Sequence, residues 1–286
     1  MIKINKCSPD KHKYLQVLNT LAKKPKTLYY RGELPDQRRP TVAVVGSRKP
    51  TAYGRQVTDK IASELASRGI VIVSGLALGI DSIAHRAALD AGGTTLAVLA
   101  NGVDDITPRS HQSLGEDIIK RGGAILSEYE PGTPAYPSSF LERNRIVSGL
   151  SDAVLITEAA QRSGTLSTAA HALEQGKDVF VVPGNITSPM SSGCNNLIRQ
   201  GALVATSAED IIAQIAPDKL QSQTSITLGA NPTETAIIKL LQAGWRSGDE
   251  IQTKLQLDTS QFNQAMTMME INGLIRSLGG NQWTLR

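Results

Sequence analysis

Thr41-Val42-Ala43-Val44-Val45-Gly46-Ser47-Arg48-Lys49-Pro50-Thr51-Ala52-Tyr53-Gly54-Arg55 is the stretch from which the rest of the chain is read. Five apolar residues in a row, rich in valine, read as a strand covered on both faces. Gly46 frees the backbone to turn. The amphipathic run Tyr53–Ser67 then reads as a helix, so the stretch is one strand-turn-helix unit. Outward from it the pattern recurs. Strands are predicted at Ile70–Val73, Thr95–Leu99, Ala124–Leu126, Ala153–Thr157 and Val179–Val182, beside Thr41–Val45 itself. Helices are predicted between them at Ile80–Ala91, Gln112–Lys120, Ser138–Leu150 and Thr165–Gln175, with Ser207–Ile215 closing the series. Alternation of this kind implies α/β architecture: a doubly wound, mostly parallel sheet with right-handed crossovers.

The 286 residues suggest about two domains. Residues 217–232 are polar and lack periodicity, and read as a linker. After them, helices at Thr233–Gln242, Ser247–Leu255 and Asp258–Asn272 and strands at Leu274–Arg276 and Gln282–Leu285 form a small winged-helix pattern. The division is thus 1–40, 41–216, 217–232 and 233–286. Apolar residues at 40% and charged ones at 20% exclude fibrous and disordered chains. The two cysteines, Cys7 and Cys194, exclude a disulfide framework and a four-cysteine zinc site. No apolar stretch resembles a signal peptide or a membrane span, so a soluble, cytoplasmic protein without a membrane partner is expected. The formal charge is +4, unevenly spread. Residues 1–40 hold ten Lys/Arg against three Asp/Glu, and the remainder is slightly acidic. The first forty residues therefore read as a basic N-terminal arm able to raise affinity for a polyanion.

Ligands of open parallel sheets bind outside the carboxyl ends of the strands. After the first strand, Gly46, Ser47 and Arg48, followed by Tyr53, Gly54 and Arg55, make an anion-binding turn at a helix start. It is not the three-glycine dinucleotide fingerprint, and no cofactor is expected. The second strand leads to Gly75, Gly79 and Asp81; the aspartate either favours the helix dipole, or orders Arg48 or reads a sugar or base. His85, with no second histidine at ligand spacing, reads as a core or surface histidine, and no metal is expected. The fourth strand leads to Phe140, Arg143, Asn144 and Arg145. Basic groups early in a helix are unfavourable there unless an anion offsets them. Phe140 is read either as a base-stacking platform or as core. The fifth strand leads to Arg162, Ser163, Gly164, Thr165 and Thr168, a phosphate nest at a helix start. The sixth is followed by Gly184, with Asn195 beyond it. No nucleophile-base pair or paired carboxylate stands out; the pattern is built to hold phosphates.

These segments resemble the DNA processing protein A family, DprA/Smf. The likeness rests on Gly46-Ser47-Arg48 through Gly54, Ser74-Gly75-Leu76-Ala77 through Asp81, and Arg143-Asn144-Arg145-Ile146 through Ser151. It continues in Ser163-Gly164-Thr165 through Ala169, Val182-Pro183-Gly184, and Gly193-Cys194-Asn195 through Ala202, in family order over residues 28–215. The resemblance implies an extended Rossmann-like domain, with a winged helix, that binds single-stranded DNA as a homodimer. It implies protection of incoming strands in natural transformation, with loading of the RecA recombinase onto them. By motif, Arg48 and the Ser163–Thr168 nest would meet phosphates, and Arg143 and Arg145 would line the same groove. Two departures stand out. Leu141 takes the place of a family proline and Glu142 follows it. The first forty residues are also shorter than the family's N-terminal helical domain, related to sterile alpha motifs.

Two other functions fit parts of the chain. A phosphoribohydrolase of the cytokinin-activating LOG type would use an Arg and a Glu beside a Pro-Gly-Gly-x-Gly-Thr loop. That loop is missing here, and Glu158 is the candidate acid. A winged-helix regulator would read duplex DNA through 258–272, but this segment holds no Lys or Arg. A non-enzymatic role is therefore expected.

Overall fold

The computed structural model describes residues 3–220 and 231–285, which fall into two compact units, 1–222 and 223–286. In chain order the larger unit comprises β1 (Asn5–Cys7), β2 (Leu28–Gly32), β3 (Thr41–Val45), α1 (Ala52–Ser67), β4 (Val71–Ser74) and α2 (Ile80–Asp90). It continues with β5 (Thr95–Val98), α3 (Gln112–Lys120), β6 (Ala124–Ser127), α4 (Pro137–Leu150), β7 (Ala153–Ile156) and α5 (Thr165–Glu174). It closes with β8 (Asp178–Val181), α6 (Ser192–Arg199), β9 (Leu203–Val204) and α7 (Ala208–Ile215). The predicted strands and helices stand within a residue or so of these bounds.

One sheet runs β1-β2-β6-β5-β4-β3-β7-β8-β9. All pairs from β6 to β9 are parallel, and β1 and β2 add antiparallel strands at one edge. Successive strand residues serve opposite faces, as a pleat requires. Val42, Val44, Ile72 and Leu155 pack with α1, α2 and α7. Ala43, Val45, Val73, Val154 and Ile156 pack with α4, α5 and α6. Both faces are thus dry, which is why the strands read as unbroken apolar runs. From β3 the chain winds one way through β4, β5 and β6 and the other way through β7, β8 and β9. The strand order reverses between β3 and β7, and α1 and α5 depart to opposite faces from there. This is the switch point where doubly wound sheets open a crevice.

Residues 3–40 do not form an arm, and the predicted division at residue 40 is corrected here. β1 and β2 extend the sheet, with Tyr29 and Tyr30 in register with Ser127 and Leu126. Tyr14, Leu15 and Leu18 are fully buried among Ile146, Val147 and Leu150, and the Tyr14 hydroxyl lies 2.9 Å from Thr41 Oγ1. Short 3₁₀ turns at Pro9–Lys11 and Gln16–Thr20 give these apolar residues neither helical nor strand spacing. The cations divide accordingly. Arg31 pairs with Glu116 at 2.7 Å and Arg38 with Asp152 at 2.5 Å, while the lysines stay exposed.

The smaller unit holds α8 (Pro232–Gln242), α9 (Gly248–Leu255), α10 (Thr259–Ile271), β10 (Ile275–Gly279) and β11 (Gln282–Leu285). Three helices and an antiparallel hairpin make the expected winged helix, around Ile237, Leu241, Ile251, Phe262 and Met269. Most of the predicted linker, 221–230, lies outside the described residues; Pro217–Leu220 forms a 3₁₀ turn. No helix among the described residues is long and apolar enough to cross a membrane.

His85, on α2, is a core residue. Its Nδ1 lies 2.7 Å from Thr95 Oγ1, and its Nε2 is buried without a partner. Burial, with His111 and Arg143 nearby, pushes its pKa down to about 3. The unfolded chain takes up this proton near pH 6.5 and the folded chain resists it, so stability is complete above pH 6.5 and falls below it. Between pH 6.5 and 5 this residue should remove about 2 kcal/mol. Urea unfolding at the two pH values checks this: His85→Leu should shrink the acid-induced loss by that amount, and an equal loss in both proteins would refute it.

Candidate functional site

A cleft of about 550 Å³ opens at the switch point. Its floor comes from the two loops that diverge there. The Ser47 amide donates to the Glu158 carbonyl at 2.8 Å, and Thr165 Oγ1 donates to the Gly46 carbonyl at 2.9 Å. The loops are therefore stitched to each other across the reversal. Glu158 is buried, and both its carboxylate oxygens serve Thr51, one accepting from the amide at 2.8 Å and one from the hydroxyl at 2.5 Å. Thr51 in turn caps α1, accepting from the Gly54 amide at 3.1 Å. The carboxylate thus sets the entry of α1, and Gly54 packs directly over it.

The loop after β4 is held under tension. Leu76 is buried with φ of 56°, a left-handed conformation that a branched side chain rarely adopts. Asp81 accepts from the Gly75 amide at 3.0 Å and the Ala77 amide at 3.4 Å. His111 Nδ1 lies 2.9 Å from the Leu76 carbonyl. Arg143 Nη1 donates to the Gly75 carbonyl at 2.9 Å and also to the Val98 carbonyl. Its guanidinium lies so close to Gly75 that a Cβ there would have to displace it. Gly79, with φ of 82°, brings the α2 start against the Ser47 carbonyl, which accepts from the Ile80 amide at 3.0 Å. Burial raises the Asp81 pKa against the opposing pull of Arg143. Burial also pushes Arg143 down to about 10, so the guanidinium keeps its charge at neutral pH.

Twelve of the predicted residues line the cleft: Gly46, Ser47, Arg48, Asp81, Phe140, Arg143, Asn144, Arg162, Ser163, Gly164, Thr165 and Thr168. They play unequal parts. Arg48 is exposed, and its guanidinium stands 5.5 Å from the centre of the half-buried Phe140 ring, so Phe140 is cleft wall and not core. Arg48, Lys49 and Arg162 are exposed and make no ion pair among the described residues. Arg143, by contrast, is spent on backbone carbonyls and acts as a buttress. Asn144 Nδ2 donates to Ser167 Oγ at 2.8 Å, tying α4 to the start of α5. The amides of Arg162, Ser163 and Gly164 have no protein partner among the described residues, and α5 directs the positive end of its dipole to the same place.

Eight predicted residues stand outside. Gly54, Gly75 and Gly79 support the walls from beneath, and Arg55 is exposed on α1. Tyr53 and Gly184 line a neighbouring pocket, where the Tyr53 hydroxyl donates to the Pro183 carbonyl at 2.7 Å. Asn195 clamps Gly184, accepting from its amide at 3.2 Å and donating to its carbonyl at 3.0 Å. Arg145 does not share a groove with Arg143: it pairs with Glu128 beside a different pocket. The reason is helical geometry, since residues two apart leave a helix on opposite sides. Six cleft residues escaped the sequence reading: Val45, Lys49, Ala77, Leu141, Ala160 and Met190. Lys49 was visible as the cation beside Arg48; Met190 comes from a 3₁₀ turn with no pattern to mark it. The acidic departure, Glu142, does not line the cleft and accepts from the Tyr129 hydroxyl at 3.2 Å.

Comparison with known proteins follows the same two units. Residues 6–216 match the sequence model of the DNA recombination-mediator protein A family, and residues 215–281 match that of the DprA winged helix domain. The protein named Smf of Escherichia coli K12 is 46% identical over 191 residues, 67% of this chain and 51% of that protein. The DNA processing protein DprA of Streptococcus pneumoniae is 44% identical over 190 residues, 66% of this chain and 67% of that protein. The chain thus spans about half to two thirds of these curated relatives. The crystal structure of the S. pneumoniae protein aligns with a TM-score of 0.70 at 40% identity, covering 74% of this chain and 75% of that one. A structure of DNA processing protein A from Helicobacter pylori, described for its single-stranded DNA binding mode, aligns with a TM-score of 0.67 at 34% identity. It covers 76% of this chain and 97% of that one.

Proposed function

Because this chain belongs to the DNA recombination-mediator protein A family, we propose that it binds single-stranded DNA in the cleft between the ends of β3 and β7. The observation that carries this reading is the set of cations Arg48, Lys49 and Arg162, without an ion pair among the described residues, around the amides of 162–164, which have no protein partner among them either. That arrangement receives phosphates and places few groups to read base edges. Phe140, flanked by Arg48, adds a face on which a base stacks.

The expected binding is insensitive to base sequence and sensitive to salt. Three exposed cations correspond to a slope of log affinity against log salt of about −2, at roughly 0.7 per phosphate. Fluorescence anisotropy across a salt series, with single-stranded and duplex oligonucleotides of the same sequence, tests it. A preference for duplex, or a flat salt response, would overturn the reading.

The family relationship extends the proposal. The protein protects incoming strands in natural transformation and loads the RecA recombinase onto them, working as a cytoplasmic homodimer. Edge strand β9 supports the dimer: Leu203 and Val204 are about 40% exposed there. Light scattering reads the assembly, and strand exchange on protein-coated DNA reads the loading. Hydrolysis is disfavoured because both Glu158 oxygens are committed to Thr51; release of free base from nucleoside monophosphates would reverse that view. A duplex-reading winged helix is disfavoured because α10 carries no Lys or Arg. A chain ending at residue 222 should accordingly fold and retain single-strand affinity within about threefold, since the larger unit holds every cleft residue. A folded but non-binding fragment would contradict this.

A further inference from the structure

Arg143 and Arg145 lie roughly 200° apart around α4. Arg143 faces the cleft, whereas Arg145 lines a second pocket of about 430 Å³ together with Lys6, Lys23, Lys24 and Lys26. The Arg145 side chain is only 9% exposed. Its Nη2 pairs with Glu128, but its Nε and Nη1 are buried without any partner among the described residues. A guanidinium cannot shed its proton to relieve this, so two charged donors remain unsatisfied. Buried donors left in this state are costly, and one that persists calls for an acceptor.

The surroundings favour an anion. Lys23, Lys24 and Lys26 are exposed and form no ion pair among the described residues. Leu21 and Pro25 are buried and anchor the short segment that presents them. Lys6 sits 5.3 Å from the centre of the Tyr29 ring, and the Tyr29 hydroxyl donates to Glu130 at 3.0 Å. Five cations thus meet two carboxylates, Glu128 and Glu130, and one of these is already matched by Arg145. Like charges gathered in one pocket repel unless a counter-anion joins them.

We propose that this pocket is a second phosphate-binding site, in which Lys23, Lys24 and Lys26 hold a phosphoryl group over the buried, incompletely paired charge of Arg145 in the pocket wall. Lysines supply mobile point charges around a phosphate. The phosphate has two possible sources. One is the backbone of a strand already in the cleft, about one helix diameter (~10 Å) away across α4, a source that rests on the function proposed above. The other is a free phosphate-bearing molecule.

The test uses the full chain carrying Lys23→Ala, Lys24→Ala and Lys26→Ala together. All three side chains are exposed, and an unchanged melting curve verifies the fold. The probes are a short oligothymidylate that fills only the cleft, one three times as long, and pyrophosphate followed by phosphorus NMR line broadening. The triple variant should bind the long strand at least about tenfold more weakly, with a salt slope shallower by about 2, and the short strand within twofold of the unaltered protein. Loss of pyrophosphate broadening with both strands bound normally would assign the site to a free ligand. Long-strand affinity, salt slope and pyrophosphate broadening all unchanged would overturn the proposal. Arg48→Ala, measured beside it on the short strand, reports on the cleft alone, so failure of one site is distinguishable from failure of the other.

Discussion

Arg48→Ala is expected to weaken single-stranded DNA binding roughly 10- to 150-fold, corresponding to about 1.5–3 kcal/mol for a lost charge-assisted contact. The melting temperature should move by less than about 3 °C, because the side chain is exposed and makes no ion pair among the described residues, resting beside the Phe140 ring. Arg48→Lys separates charge from shape. If the fork and its stacking on Phe140 matter, lysine restores only part of the affinity. Anisotropy titration and a thermal melt on the same preparations check both statements. Unchanged affinity in the alanine variant would remove Arg48 from the site.

Arg143→Met should behave in the opposite way. Arg143 is buried, and its Nη1 serves the carbonyls of Gly75 and Val98 beneath the strained Leu76 loop. Its removal strips these acceptors and leaves the Asp81 carboxyl buried without its compensating charge. Deleting one member of such a buried arrangement costs roughly 3–5 kcal/mol. For a unit of this size the melting temperature should fall on the order of 10 °C. Binding should be lost only as folding is lost, so affinity measured well below the new midpoint stays within about fivefold of the unaltered protein. A stable variant that no longer binds would make Arg143 a direct phosphate contact, and a stable variant with full affinity would remove its buttressing role.

The contrast between these two arginines shows where sequence reading stops. The parallel core was legible because strands covered on both faces carry unbroken apolar runs, and Thr41–Val45 and Gln112–Lys120 were bounded to the residue. The switch point was legible in part: Gly46-Ser47-Arg48 and Arg162-Ser163-Gly164 follow strands that prove adjacent, although their adjacency depends on sheet order and not on local pattern. Burial of a charge was not legible. Arg143 and Arg48 look alike in one dimension, and only the packing of α4 against the loop after β4 makes one structural. Arg145 went astray for a simpler reason, a two-residue offset on a helix. The first forty residues misled because their apolar groups sit in 3₁₀ turns and edge strands among lysines, so composition spoke for the surface and concealed the core.

Hydrogen–deuterium exchange of the full chain, with and without a saturating oligothymidylate, tests the central claim most directly. Exchange slows where backbone amides are engaged or shielded by the strand. Protection is predicted at residues 46–49, 140–144 and 160–168, the segments that meet at the switch point, with α10 unchanged. Protection confined to α10 and the β10–β11 hairpin, with those three segments exchanging as in the free protein, would contradict the account.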